Sequence, residues 1–435
     1  MDGISKKKHV VNWLFFKNEK RSVFRKAFRV FIFTLPAYMA NLGLLYMAPR
    51  LVDGETFGVF FLSNTIINWM FAPAIIISMF LLRDITNPEK IREAGSLQLM
   101  ANEIINLVAK WSVVAMLSLG GLALFAASII GISSIYIIPL IFIITSLAYV
   151  GESFRAYFQS INSFLLLGSF NMSWMLSRFI FGITGLYLFK TVWGGLLGIS
   201  LALTIVFFVY YKKFIRLDNA SKINERLYHY VPPRFTGMLP GMLSYSSLIL
   251  TCNIDIIVGY FVLDSSMLGI YSASSVLAKA ILILAFPLTH STYPALLSNN
   301  DQVNRRDWVI FVKGLAVTSV IAGAVIFILY HFSDYVCSSN YGIRGCNSEI
   351  YNILLVPPFF LFLLVYLSLQ SFSSGKDWFP SLLFLPTGIF TAISFIFIHD
   401  INNLSKSFAI FSVAVFALYF LFILGGRIKR IPAAS

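Results

Sequence analysis

"VLDSSMLGIYSASSVLAKAILILAF" (residues 262–286) carries one basic residue, Lys279, in a largely apolar run. A helix of about 20 apolar residues crosses a bilayer core, and this run is long enough. A cation at the centre of such a span costs about 2.5–3.5 kcal/mol on insertion scales. Lys279 must therefore be paired or face water inside the protein. The same stretch holds a second clue. Asp264, Gly269, Ile270 and Tyr271 repeat Asp53, Gly58, Val59 and Phe60 of "LVDGETFGVF" (51–60), at a constant offset of 211 residues. The repeat reads as two related halves, each opening a span with the same short motif.

The rest of the chain agrees. Of its 435 residues 58% are hydrophobic and 12% charged, about half the charge of an ordinary soluble domain. Twelve apolar stretches are long enough to span: 27–48, 57–82, 104–130, 135–155, 164–189, 191–211, 237–262, 267–289, 308–332, 350–372, 378–399 and 405–426. They do not alternate as barrel strands would. The predicted fold is an all-α polytopic membrane protein, twelve transmembrane helices in two pseudo-symmetric six-helix lobes around a central cavity. A basic N-terminal segment (1–26) precedes an N-lobe (27–211), a cytoplasmic linker (212–236), a C-lobe (237–426) and a cytoplasmic tail (427–435). Both halves begin and end on the same side, as parallel repeats do.

The net charge of +14 does not point to nucleic acid. With the N-terminus inside, the exported segments hold only Arg50, Lys190, Arg344 and Lys406, and nearly all other Lys and Arg lie on the cytoplasmic side. This is the positive-inside asymmetry, and both termini are predicted to be cytoplasmic. The first 29 residues are long and basic, with no small-residue cleavage site, and do not read as a cleavable signal. "HVVNWLFF" within them suits either a membrane-surface segment anchored by Trp13 or a disordered basic tail. Cys337 and Cys346 share the longest exported loop, where an oxidising compartment permits a disulfide.

Polar residues concentrate in spans one, two, five, seven and eight. The offset pairs Lys279 with Asn68 and Ser275 with Asn64. Residues four apart share a helix face, so spans two and eight carry polar faces at matching depth. Arg178 lies about 16 Å and Lys279 about 18 Å from the exported ends of their spans, at 1.5 Å per residue. Asp255 lies nearer the exported face, and span one adds Asn41 beside a kink-prone Pro36. The candidate substrate-binding residues are Lys279, Arg178, Asn68, Asn64, Ser275 and Asn41, with Asp255 a candidate for coupling to H+ or Na+. The bland readings stand beside these: Lys279 as a buried partner of Asp255 across a depth difference of about 7 Å, and the asparagines as interhelical hydrogen-bonding residues. No metal-ligand cluster and no cofactor are expected.

At "LVDGETFGVF", "NIDIIVGYFVLDSSMLGIYSAS" (253–274) and "YPALLS" (293–298), the chain resembles Wzx-type polysaccharide (O-antigen) flippases of the multidrug/oligosaccharidyl-lipid/polysaccharide exporter superfamily. Asp255, Gly259, Gly269, Tyr271 and Pro294 fall where that family's second-half pattern has such residues. The resemblance implies a flippase in a bacterial inner membrane. It would move an undecaprenyl-pyrophosphate-linked oligosaccharide to the periplasmic leaflet by alternating access, with the lipid-linked oligosaccharide and other polysaccharide-assembly proteins as partners. A small-molecule or multidrug exporter of the same superfamily is the alternative. A membrane polysaccharide polymerase or ligase needs a large exported loop with a nucleophile and base, and none is evident, so a non-enzyme is expected. The loop after span two, "RDITNPEKIREAGS" (83–96), lacks the major-facilitator motif, and no phosphate-binding G-x-x-x-x-G-K-[ST] loop is present.

Overall fold

A computed structural model of the chain describes residues 36–85, 103–114, 137–160, 163–219, 235–297, 305–334, 348–373 and 379–428, with a few isolated positions between them. The basic segment 1–26, most of the linker, residues 338–347 of the cysteine-bearing loop and most of the tail lie outside the described residues.

Every described element is helical. In the first half these are α1 (36–51), α2 (Gly54–Ile85), α3 (103–114), α4 (Ile137–Ser160), α5 (Phe164–Phe189) and α6 (Val192–Asn219). In the second they are α7 (Phe235–Val262), α8 (Ser265–Leu297) and α9 (Arg305–His331), followed by α10, which runs as Ser348–Leu354 and Val356–Ser373 around a turn at Leu355. A 3-10 turn, Phe379–Leu383, leads into α11 (Phe384–Phe397), and α12 is Ile401–Ile428. Each of the twelve predicted spans is met by one of these, the third only through residue 114. Eight helices among the described residues are long and apolar enough to cross a membrane. The protein is thus an all-α polytopic membrane protein. A helix satisfies its own backbone hydrogen bonds, which lipid cannot do for it.

The polarity is distributed as lipid demands. On α11, Leu385, Ile389, Ile393 and Ile396 are exposed at spacings of four, four and three residues, one face of a helix. The interior instead holds hydroxyls. Thr251 on α7 meets Thr387 on α11 at 2.9 Å, and Ser247 donates to the Pro380 carbonyl at 2.7 Å. Such contacts hold helices together where no hydrophobic effect acts between them.

The aspartates of the repeat begin helices. Asp53 accepts from the Thr56 N–H at 2.8 Å and the Thr56 hydroxyl at 3.1 Å, while its own carbonyl receives the Phe57 N–H. This is an N-cap. The Asp264 carbonyl receives the Leu268 N–H in the same way at the head of α8. Between α5 and α6 the chain turns at Lys190, whose φ of 53° is left-handed, a conformation usually left to glycine. Its Nζ donates to the Leu51 carbonyl at 3.0 Å and lies 4.9 Å from the Tyr187 ring centre. The hairpin that follows is packed backbone to backbone. A Cβ on Gly185 would fall 2.1 Å from the Gly194 carbonyl oxygen, and one on Gly198 would fall 2.1 Å from that of Phe181.

In the first half α4 packs on α2, α5 and α6. In the second, α8 and α12 flank α10, and α7 packs on α11. The seam is made by α2, which lies against both α7 and α8. Cys337 is disulfide-bonded and Cys252 is a free, buried thiol. The third cysteine, Cys346, lies outside the described residues.

Candidate functional site

Two buried polar clusters lie on either side of this seam. The first joins α7 to α8 around Asp255, which is fully buried. Tyr271, Ser275 and Lys279 stand at successive turns of α8, so their side chains share one face. All three donate to the same carboxylate: Lys279 Nζ to Oδ1 at 2.6 Å, and the Tyr271 and Ser275 hydroxyls to Oδ2 at 3.0 and 3.1 Å. Lys279 is 8% exposed, with its Nζ 5.3 Å from the Phe408 ring centre of α12. A buried charge survives only if paired and hydrogen-bonded, and both members of this pair are. The expected depth difference between them is bridged by the length of the lysine stem. Ser272, one residue after Tyr271, is buried with its hydroxyl unpartnered.

The second cluster joins α2, α4 and α5. Arg178 on α5 donates through Nη2 to Asn64 Oδ1 of α2 at 3.3 Å, and Asn64 donates its own amide hydrogen to the Phe60 carbonyl at 3.1 Å. Arg178 Nε is buried without a hydrogen-bond partner. Nearby, Arg155 pairs with Glu152 and donates through Nε to Asn171 at 2.7 Å, with the Phe170 and Trp174 rings beside its guanidinium. Arg155 is within electrostatic reach of Arg178 and of Tyr38 on α1, and Tyr38 is within reach of Tyr245 on α7.

The charge count of the two clusters differs. In the second half Lys279 and Asp255 cancel. In the first half Arg155 and Glu152 cancel, and the hydrogen-bond acceptor of Arg178 is a neutral amide. Among the described residues, the two clusters together hold one uncompensated positive charge, on Arg178. An arginine with a free Nε–H can bind an anion through a planar fork.

Five of the predicted site residues are therefore brought into the clusters: Lys279, Asp255 and Ser275 in one, Arg178 and Asn64 in the other. Asn68 is exposed on α2 and Asn41 is half-buried on α1, and neither joins the charge pairs. The sequence reading missed Tyr271 as a ligand of Asp255, although its place in the repeat and its four-residue spacing from Ser275 were visible. It also missed Glu152 and Arg155. Both lie at the end of the predicted fourth span (135–155), whose helix continues to Ser160 with Glu152 buried. Glu152 is thus a second buried acid inside a span, besides Asp255. Among the described residues no group of His, Cys, Asp and Glu is placed to hold a metal ion.

No protein-family model matches the sequence, and no curated protein matches it. Solved structures do match the fold. A MATE protein in complex with MaD5 superimposes with a TM-score of 0.65 at 13% identity, over 94% of this chain and 96% of that one. A mutant of the Vibrio cholerae MATE transporter VcmN gives 0.62 at 14% identity, over 94% and 99%. An inward-facing multidrug resistance MATE family transporter of the MOP superfamily gives 0.61 at 15% identity, over 91% and 96%. Over nearly its whole length this chain has the fold of the MATE transporters.

Proposed function

We propose that the protein is an alternating-access exporter of organic cargo, working as a small-molecule exporter of the multidrug type. The observation that carries this reading is the agreement in fold with MATE transporters over more than nine-tenths of both chains. The buried polar clusters at the α2–α7–α8 seam support it, because intramembrane charges mark transport pathways. Asp255 is the proposed coupling group: a proton or sodium ion there would compete with Lys279 for the carboxylate. Unchanged transport by Asp255→Asn across imposed pH and sodium gradients would end that role.

A second reading is favoured by one specific observation. The uncompensated charge of Arg178 suits an anionic headgroup better than an organic cation, as the pyrophosphate of a lipid-linked oligosaccharide would require. In that case the protein is a flippase of the O-antigen type. Deletion in the native host, with plasmid rescue, separates the two. Loss of surface polysaccharide with its lipid-linked unit still made and held inside supports the flippase. Raised accumulation of amphipathic dyes with surface polysaccharide intact supports the small-molecule exporter. Neither change would sink both.

A further inference from the structure

Lys279 lies between two partners of different kinds. On one side its Nζ donates to Asp255 Oδ1 at 2.6 Å, and on the other it lies over the Phe408 ring, 5.3 Å from its centre. Leu404 and Phe408 stand one turn apart on α12, so they share a face, and both are fully buried. That face packs on α7 beside the carboxylate. A Cβ on Gly259, one turn after Asp255, would meet Leu404 Cδ2 at 3.3 Å. The Phe408 ring is held in place by two others. Phe411 stacks beside it at 6.2 Å and Phe390 of α11 lies at 6.1 Å, and these two are 4.5 Å apart.

A buried ammonium has to keep a partner. Lys279 is too well buried for bulk water to serve, and among the described residues Asp255 is its one hydrogen-bond acceptor. The other groups about the carboxylate are the Tyr271 and Ser275 hydroxyls, which donate to it, and the Cys252 thiol, within electrostatic reach on α7. None of these replaces a carboxylate for Lys279. Whatever neutralises Asp255 therefore leaves the ammonium with the ring beside it. The face of an aromatic ring attracts a cation, most strongly where water is excluded.

We propose that Phe408 is a positioning residue of the transport cycle. Its ring is the second seat of the Lys279 ammonium, taken up when a proton or sodium ion occupies Asp255. The proposal rests on the coupling role given to Asp255 above. Lysine stays protonated throughout, and the move is short because the ammonium already lies between the two partners. It passes the hold of α8 from α7 to α12 without stranding the charge. An aliphatic side chain of similar bulk would fill the same space and offer no such seat.

The test varies the electronics of the ring at nearly constant shape. In the full-length protein, position 408 is occupied by phenylalanine or by its 4-fluoro, 3,5-difluoro or 3,4,5-trifluoro form, which draw electron density from the ring face step by step. Melting temperatures are compared in two backgrounds. In Asp255→Asn the ammonium loses its carboxylate. In Asp255→Asn with Lys279→Met no ammonium remains. In the first background the melting temperature should fall with each fluorine, by about 2–4 °C over the series. In the second it should stay level. Phe408→Leu should likewise cost more in the first background than in the second. Asp255→Ser serves as the neutral form if Asp255→Asn does not fold. Equal falls in both backgrounds, or a level series in both, would show that the ring only packs. Failure of both neutral forms to fold with Phe408 intact would show that the ring is no adequate seat. Any of these results overturns the proposal. No gradient or cargo enters the measurement, so the seat can fail here while Asp255 still couples transport. Equally, the gradient assay on Asp255→Asn can remove coupling while the seat stands.

Discussion

Lys279 and Asp255, twenty-four residues apart on consecutive helices, form a buried ion pair at 2.6 Å in which the carboxylate also accepts from Tyr271 and Ser275. Removing one partner leaves the other as an unpaired buried charge, which costs about 3–5 kcal/mol, whereas replacing both with apolar or neutral groups is often tolerated. Lys279→Met and Asp255→Asn should each lower the yield and melting temperature of purified protein, and the double variant should recover much of both. Transport then separates structure from function. If the double variant is stable but inactive, the pair works on cargo or coupling ions. If it transports normally, the pair is structural.

Arg178 is the one cation of the two clusters without a carboxylate partner among the described residues. Asn64→Asp would supply one at the position of its present acceptor, 3.3 Å away. This variant should insert and fold at least as well as the unaltered protein, because a charged acceptor strengthens the hydrogen bond. Transport of an anionic cargo should nevertheless fall by an order of magnitude or more, as should that of Arg178→Gln. Arg178→Lys should retain more activity. Wild-type export by Asn64→Asp at matched expression would remove the anion role from Arg178.

Glu152 and Arg155 form the other compensated pair, and Arg155 lies within reach of Arg178. Glu152→Gln should therefore leave two like charges facing each other, and because Arg155 is half-buried the cost should fall below the ~3–5 kcal/mol of a fully buried pair. Combining it with Arg155→Met removes the repulsion. A thermal-shift series on the two single variants and the double checks this. Equal melting temperatures for Glu152→Gln and the unaltered protein would show that the pair carries no such role.

Topology is tested by reporter fusions after Asn219 and Asn340, which should report opposite sides of the membrane. If both report the same side, the twelve-span arrangement is wrong.

The span pattern was legible because bilayer thickness imposes it on every helix alike: α5 begins and ends where the apolar run 164–189 does. The polar face of α8 was legible too, since four-residue spacing places Ser275 with Lys279, whereas on α2 the same spacing paired Asn64, which is buried, with Asn68, which is exposed. The extent of α4 was not legible. Hydropathy falls after residue 155, where the predicted span ends, but the helix continues to Ser160, and within it Glu152 stays buried because the half-buried Arg155 beside it neutralises its charge. Which partner each polar face meets was also not legible. Periodicity says which side of a helix is polar, and says nothing of the helix opposite. The sequence by itself therefore determined the apolar spans and the residues available for a site. Only the tertiary structure decided that Asp255 takes Lys279, leaving Arg178 the uncompensated charge, and that Phe408 of a distant helix lies beside the pair. Those outcomes depend on the lateral packing of helices, where a few ångströms decide between an ion pair and an open cavity.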